Sequence, residues 1–295
     1  MNSNLVSIRV WGDFACFTRP EMKVERVSYP VMTPSAARGV LEAIFWEPEM
    51  FYLIDSVRVI KKGLWVSFRR NEVTEVVRMG NLFSWMKDPS SCSPIQAGGG
   101  AKHGTQRNML ALETVEYIIT AEVGVTTIGA KSNQAVKKYT EEVERRARTG
   151  KCYHRPALGM REFAADFEYE PNPDQGLERR ATELYRDKTG AEIWPEDDLG
   201  LMLYDVFNPE DRSVGFRWFT SEVDHLKDQE LRNEKFPTAS KVRRASDKFQ
   251  KHFEGEMVKP SAVFFHGRIK NSKLECNPRV VKLIANTSGD SRNAS

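Results

Sequence analysis

Three consecutive side chains near the middle of the chain, Lys137, Lys138 and Tyr139, combine positive charge with groups that carry a proton. His154 adds a fourth such group a short distance along the chain. Cleavage of RNA without a metal ion needs a group that takes the 2′-hydroxyl proton, a cation near the phosphorane and a proton donor for the 5′-oxygen. Lysine, tyrosine and histidine can fill these roles, so these four residues are candidates for acid–base chemistry on a phosphodiester.

The same residues also have a purely structural interpretation. Tyr139 falls on the apolar stripe of a predicted helix with Val136 and Val143, where its ring would pack in the core. Lys138 would then pair with Glu142 one turn later. A single histidine after a helix, such as His154, is often structural as well. The sequence leaves both interpretations open.

Other chemistries lack the residues that they need. The glycines from Gly99 to Gly104 are spaced like a phosphate loop, but Thr105 stands where that loop requires lysine. The carboxylates at residues 196–198 are typical of a solvated turn, and the four cysteines form no C-x-x-C pair. We therefore expect no metal site and no cofactor.

Charge is distributed unevenly along the 295 residues, although the net charge is only +3. Residues 1–163 carry +6, residues 164–235 carry −10 and residues 236–295 carry +7. A basic first half suits a polyanionic partner, although runs of charge are also common on solvated faces. No apolar run reaches eighteen residues and no signal peptide is recognisable, which predicts a cytoplasmic protein without membrane contact.

The elements that must position these residues follow from apolar periodicity. Val6, Ile8 and Val10 alternate as in a half-buried strand. Thr33 and Pro34 suit the start of a helix that ends before Pro48. Further strands are predicted at 57–61, 64–70 and 115–123, and a second helix extends from a cap at Ser132 to Gly150. This order predicts an α+β, ferredoxin-like (RRM-like) βαββαβ domain.

We expect three regions along the chain. Residues 1–170 form the ferredoxin-like domain, in which residues 71–113 are an inserted hairpin or loop rich in Gly, Ser and Pro. Residues 171–226 form an acidic region with strands near 201–206 and 214–219. Residues 227–295 form a basic C-terminal extension with a helix near 241–253 and a strand near 262–266.

Six stretches taken together are more specific than any single residue. They are RVWGDFACFTRPE (residues 9–21), KVERVSY (23–29), TPSAARG (33–39), RRNEV (69–73), QRN (106–108) and LGMREF (158–163). They closely resemble the subtype I-C CRISPR-associated RAMP family, the fifth Cas family in its Dvulg form. The resemblance covers about residues 4–225.

This resemblance implies a protein that cuts the CRISPR repeat transcript without metal and stays on the crRNA 5′ handle as a Cascade subunit. Its partners would be the backbone and large subunits of that complex and, through the complex, target DNA. The alternative is a subunit that only binds the handle. The arginines best suited to RNA phosphates are Arg38, Arg69, Arg70, Arg107 and Arg161, because a guanidinium fork matches phosphate geometry.

The family's active site combines a Tyr or His near the end of the first helix with a Lys-His pair at the start of the second. The first position matches Phe45, which cannot transfer a proton. The pair matches Lys138-Tyr139 without a gap, or Lys137-Lys138 after a shift of one residue. The family histidine is missing in both registers, which makes His154 a substitute candidate.

Overall fold

A ten-stranded mixed sheet organises the computed structural model, which describes residues 4–96, 98, 100–131, 135–186, 194–214, 217–218, 257–258 and 261–285. The described strands are β1 Leu5–Ala15, β2 Arg26–Val27, β3 Met50–Lys61, β4 Leu64–Val73, β5 Gly104–Val125, β6 Asp166–Tyr169, β7 Glu196–Asp205, β8 Arg217–Trp218, β9 Met257–Val258, β10 Val263–Lys270, β11 Lys273–Glu275 and β12 Leu283–Ala285. The described helices are α1 Pro34–Ile44, α2 Met79–Lys87, α3 Thr127–Lys131, α4 Val136–Arg148, α5 Pro173–Arg186 and α6 Pro209–Val214.

The centre of the sheet has the strand order β3-β5-β1-β6, and all of these pairs are antiparallel. β1 alternates as its sequence predicts, since Val6, Ile8 and Val10 are buried. Helices α1 and α4 contact the central strands, and the stripes of both helices belong to the main hydrophobic core. The chain therefore runs β1-α1-β3 and then β5-α4-β6, a mixed α/β arrangement.

Helix α1 begins and ends where local chemistry dictates. Thr33 accepts a hydrogen bond from the backbone N–H of Ala36 at 3.3 Å, and Pro34 occupies the first turn. At the other end Phe45 adopts an extended conformation, and its backbone N–H donates to the carbonyl of Leu41. The helix end thereby fixes the start of the segment that carries Glu47 and Glu49.

The inserted hairpin is longer than its sequence suggests. Its arms are β4, predicted as a core strand, and the first half of β5, which pair from Leu64 with Glu113 to Val73 with Gly104. α2 lies between the two arms. Thr114 has a φ of 57° and separates the hairpin half of β5 from the half that pairs with β3. One strand therefore links the core to the hairpin.

Helix α5 is held by ion pairs on residues of the central strands. Arg58 of β3 contacts Asp174 at 2.7 Å, and Arg180 contacts the buried Glu116 of β5 at 2.9 Å. Leu177 adds an apolar contact to Ile60 and Ile118. The sequence indicated only an acidic region here, because the partners of these charged residues lie far away along the chain.

Residues 261–285 correct the expected C-terminal extension. β10 pairs with β7, β11 pairs with β3, and Phe265, Ile269 and Leu274 are fully buried in the main core. These strands belong to the sheet because their alternate side chains face the same core as β3 and β7. The predicted cap at Ser132, the helix near 241–253 and half of the strand near 214–219 lie outside the described residues.

Within the described ranges, none of the helices is long and apolar enough to cross a membrane.

Candidate functional site

Lys138 and Tyr139 lie in the first turn of α4, which begins at Val136. Tyr139 is only 3% exposed, and its ring centroid lies 6.4 Å from that of Phe45 at the end of α1. The Lys138 ammonium is exposed and lies 5.4 Å from the Tyr139 ring centroid. The packing of α4 against the end of α1 therefore places Lys138 and Tyr139 beside Phe45.

These residues line a groove of about 710 Å³, which we call the tyrosine groove. Its lining consists of Phe45, Glu47, Glu49, Lys138, Tyr139, Glu141, Glu142, Arg145, Arg146 and Tyr153. The volume is within the range of roughly 300–1,000 Å³ that small ligands occupy. The groove is therefore large enough for a nucleotide.

Most of the charge in the tyrosine groove is paired. Glu142 accepts hydrogen bonds from Arg145 and Arg146 at 2.7 Å, and these bonds lower the pKa of its carboxyl to about 2. The Arg146 guanidinium also lies over the rings of Phe45 and Tyr153, at 5.1 and 4.3 Å. These contacts hold the aromatic side of the groove in place.

The two tyrosines of the groove keep their protons at neutral pH. Burial raises the pKa of the Tyr139 hydroxyl, and the nearby charges of Glu49 and Glu47 raise it further. Burial and a hydrogen bond to Glu47 raise the pKa of Tyr153 in the same direction. Both side chains are therefore hydrogen-bond donors under ordinary conditions.

The other two candidates for chemistry lie outside the tyrosine groove. Lys137 is 71% exposed and pairs with Glu141 at 3.6 Å, which is the ordinary arrangement of a helix surface. His154 is exposed and lines a different groove. The structure thus brings Lys138 and Tyr139 together and places Lys137 and His154 elsewhere.

His154 belongs to a second groove of about 800 Å³, which we call the small-residue groove. It is lined by Phe17, Thr18, Thr33, Ser35, Ala36, Gly39, Ala43, His154, Arg155, Ala157, Gly159, Met160, Arg161 and Leu203. Small side chains of α1 form one wall. The two grooves are adjacent, because the backbone N–H groups of Tyr153 and His154 both donate to the carbonyl of Ala43.

Two arginines stand at the small-residue groove. Arg155 contacts Asp166 at 3.1 Å, and both side chains are largely exposed. Arg161 is exposed and has no ion pair or hydrogen bond within the part of the chain that the structure describes. Gly159 adopts a φ of +85° and approaches the Cys16 carbonyl so closely that a Cβ would clash, which fixes the loop that carries Arg161.

The hairpin arginines differ in their availability. Arg69 on β4 is exposed, and no partner for it lies among the described residues. Arg70 donates to Glu162 at 2.6 Å and thereby ties the hairpin to the loop of Met160 and Arg161. Arg107 on β5 lies 3.9 Å from Glu25, which directly precedes β2. Of Arg69, Arg70 and Arg107, Arg69 is therefore the one with most freedom to meet an anion.

Arg38 has a structural position that its motif does not reveal. Its guanidinium contacts Glu42 at 2.6 Å and Asp205 at 2.9 Å, and Arg212 contacts the same aspartate. These neighbouring charges raise the pKa of Arg38 against the effect of burial and lower that of Asp205. Arg38 thus joins α1 to β7 and α6, and we withdraw it as a phosphate ligand.

Two residues of the tyrosine groove were missed by the sequence interpretation. Tyr153 is 51% exposed, and its hydroxyl donates to Glu47 Oε1 at 2.8 Å. The only sequence signal was the position of Tyr153 beside His154 in a polar and aromatic segment. The pairing with Glu47 joins residues far apart in the chain, so local pattern could not predict it.

Within the described residues, no group of three or more His, Cys, Asp or Glu side chains has an arrangement that could hold a metal ion. The carboxylates of the tyrosine groove are spread along it, and Glu142 is occupied by arginines.

Comparison with known sequences gives a consistent result. A family model for Cas5d, described as CRISPR-associated protein (Cas_Cas5), matches residues 5–247. A protein of Mannheimia succiniciproducens named CRISPR pre-crRNA endoribonuclease Cas5d is 38% identical over 208 residues, which is 69% of this chain and 85% of the relative. A Thermus thermophilus protein of the same name is also 38% identical over 208 residues, 70% of this chain and 75% of the relative.

A solved structure described as a CRISPR-associated protein has a similar fold. It is 18% identical, covers 97% of both chains and superposes with a TM-score of 0.52. At this identity the likeness concerns the fold alone.

Proposed function

Because the chain belongs to the Cas5d family of CRISPR-associated proteins, we propose that it cuts the CRISPR repeat transcript and then stays on the crRNA 5′ handle as a Cascade subunit. The observation that carries this proposal is the tyrosine groove, where Lys138 and Tyr139 meet the end of α1. The two relatives named as pre-crRNA endoribonucleases support the same assignment.

The groove contains two of the three groups that the reaction needs. The Lys138 ammonium offsets the negative charge that develops on the phosphorane when the 2′-oxygen attacks. Tyr139 donates a proton to the departing 5′-oxygen, since its raised pKa keeps it protonated at neutral pH. Lys137 and His154 do not line this groove, so the proposed reaction gives them no part.

Cleavage by this route is independent of metal and leaves a 5′-hydroxyl and a 2′,3′-cyclic phosphate. The test is to incubate the purified full chain with repeat RNA from its own locus in EDTA and to identify the fragment ends by mass spectrometry. We expect cutting at an unchanged rate in chelator. A magnesium requirement, or fragments that end in a 3′-hydroxyl, would refute the mechanism.

We propose that the small-residue groove and the hairpin grip the RNA. Small side chains on α1 let a sugar-phosphate backbone approach closely, and Arg161 is placed to meet its phosphates. Arg69 extends this positive surface along the hairpin, whereas Arg70 and Arg107 act after exchange of their carboxylate partners. Binding should therefore weaken strongly with salt, because each neutralised phosphate releases counterions.

The second candidate function is a subunit that binds the 5′ handle without cutting. It is favoured by Phe45, which brings no hydroxyl to the groove, and by the burial of Tyr139. The EDTA experiment separates the two functions, because tight binding without fragments indicates the handle-binding subunit.

We propose a domain type, a subtype, partners and a location for this chain as well. The order β3-β5-β1-β6 with α1 and α4 against it supports a ferredoxin-like, RRM-like domain. The six sequence stretches support subtype I-C. We propose backbone and large Cascade subunits as partners, target DNA as a ligand reached through the complex, and a cytoplasmic location.

A further inference from the structure

The tyrosine groove contains a hydroxyl that the proposed chemistry has not yet used. Tyr153 Oη donates to Glu47 Oε1 at 2.8 Å, and half of the tyrosine side chain is exposed. Tyr139 in the same groove is almost fully buried, and Phe45 has no hydroxyl. Tyr153 is therefore the accessible phenol among the residues that line this groove.

The position of Tyr153 is fixed from several sides. Its backbone N–H donates to the Ala43 carbonyl at 2.9 Å. The ring centroid of Tyr153 lies 5.8 Å from that of Phe45 and 4.3 Å from the Arg146 guanidinium. A side chain held in this way loses little conformational entropy when a substrate arrives, which suits a group that must meet one substrate atom.

The partner of Tyr153 sets the direction in which a proton can move. Burial raises the pKa of Tyr153, and the Glu47 carboxylate raises it further because a phenolate there would place two negative charges together. The Tyr153 hydroxyl donates its proton to Glu47 Oε1, so it presents its lone pairs, and not this proton, to a substrate. It can accept a proton from the substrate if it passes its own proton to Glu47 at the same time.

We propose that Tyr153 is the catalytic residue that takes the 2′-hydroxyl proton, and that Glu47 is the positioning residue that receives the proton of Tyr153. This inference rests on the proposed RNA cleavage and supplies the proton acceptor missing from it. As the bond between the 2′-oxygen and phosphorus forms, the 2′-proton moves to Tyr153 Oη and the phenolic proton moves to Glu47 Oε1. The bond from phosphorus to the 5′-oxygen breaks, and that oxygen takes the proton of Tyr139. Solvent then returns a proton to Tyr139 and removes one from Glu47.

The chain contains a matched control for this arrangement. Tyr169 on β6 also has an arginine over its ring, with Arg148 Cζ 3.9 Å from the centroid, and its hydroxyl is hydrogen-bonded to Glu144. Arg148, like Arg146, belongs to α4. Tyr169 lines neither groove. A role in packing alone would make the two tyrosines equivalent, whereas a catalytic role would separate them.

The first experiment compares Tyr153→Phe and Tyr169→Phe in the full chain with repeat RNA, at saturating protein and in EDTA. We expect Tyr153→Phe to lose roughly 100-fold in cleavage rate and to keep its RNA affinity, because a general base typically contributes about this factor. Tyr169→Phe should cut at the unaltered rate. Equal cutting by Tyr153→Phe and the unaltered chain would overturn the inference alone. Failure of the unaltered chain to cut would overturn the proposed function and this inference with it.

A further substitution separates the hydroxyl from the ring. Tyr153→Ala removes both, whereas Tyr153→Phe keeps a ring on which a base can stack. We expect both variants to lose cleavage to a similar extent. If Tyr153→Ala fails while Tyr153→Phe cuts normally, the ring is a stacking surface and the proton-transfer role is wrong.

A substitution tests the part assigned to Glu47. Glu47→Gln keeps the size of the side chain, but its amide cannot take the phenolic proton of Tyr153. We expect Glu47→Gln to cut slowly at saturating protein and to keep its RNA affinity. A Glu47→Gln variant that cuts at the unaltered rate, or that loses affinity and not rate, would overturn the relay.

Discussion

The tyrosine groove and the small-residue groove share the segment Tyr153-His154 and have similar volumes, but they are built from different residue types. The first contains four glutamates, two arginines and two tyrosines, with much of its charge engaged in pairs. The second has a wall of small side chains and an arginine, Arg161, that is unpaired within the described structure. Fixed, paired groups suit chemistry on one phosphate, whereas open space and an available cation suit the binding of a strand. From this difference we expect cutting and RNA binding to be separable by substitution.

The largest expected effect comes from Lys138 in the tyrosine groove. Lys138→Ala should reduce the cleavage rate by about 100-fold, because a cation beside the phosphorane stabilises the transition state more than bound RNA. RNA affinity should change by no more than about threefold, since one contact of several is lost. Single-turnover cleavage and a filter-binding titration measure the two quantities.

Lys137→Ala is the control for this prediction. Lys137 has the same charge and lies next to Lys138 in sequence, but Lys137 does not line the groove. It should cut normally. Equal losses of cleavage rate in Lys137→Ala and Lys138→Ala would mean that only the total charge of α4 matters. The assignment of cleavage to the tyrosine groove would then be wrong.

The next effect concerns Arg161 in the small-residue groove. Arg161→Ala should weaken RNA binding by about tenfold and lower the slope of log affinity against log salt by about 0.7, as expected for one lost phosphate contact on a single strand. Cleavage at saturating protein should be unchanged. Affinity at several salt concentrations, together with the saturated rate, measures both.

Arg268→Ala is the control for Arg161→Ala. It removes the same charge from an exposed residue on β10 that lines neither groove. Its affinity and salt slope should match those of the unaltered chain. A saturated cleavage rate that falls in Arg161→Ala would assign chemistry to the second groove and contradict the comparison.

The smallest expected effect is that of Gly39→Ala on α1, which should change both the stability of the protein and its RNA affinity. Gly39 lines the small-residue groove, and an added Cβ would meet no atom within 4 Å. Gly39→Ala should raise the free energy of unfolding by about 0.5–1 kcal/mol through helix propensity. The methyl group would stand in open space that RNA needs, so affinity should fall by about threefold if a strand packs there.

Gly80→Ala provides the matched control on α2, where an added Cβ also meets nothing and the glycine lines neither groove. Thermal unfolding and RNA titration of the two variants should show similar stabilisation and a loss of affinity only for Gly39→Ala. If affinity stays unchanged in Gly39→Ala, RNA does not approach that wall of the groove.

The sequence predicted the elements whose signals are local. The Thr33 cap, Pro34 and the apolar stripe of α1 suffice to define that helix, and the alternation of Val6, Ile8 and Val10 defines β1. The same kind of signal predicts that Lys138 and Tyr139 lie on one helix, as the structure has them. Features that need only the chain's own neighbours can be predicted from such patterns.

The features that the sequence did not predict depend on distant partners. Glu47 and Tyr153 come together only because α1 and α4 pack on the same sheet. Arg38 matched a motif but is engaged by Asp205, which β7 brings from far along the chain. Periodicity contains no information about such pairs, so a cation in a salt bridge and a cation that awaits a phosphate have the same sequence signal.

The pairing of β3 with β11 has a consequence for folding during synthesis. Ser56 faces Glu275 across these strands, so roughly 200 residues must be made between the two sides of one ladder. During synthesis from the N-terminus, β3 emerges from the ribosome long before β11 does. That edge of β3 therefore remains open to association with other chains until the last strands arrive. We expect nascent chains halted before residue 273 to depend on chaperones.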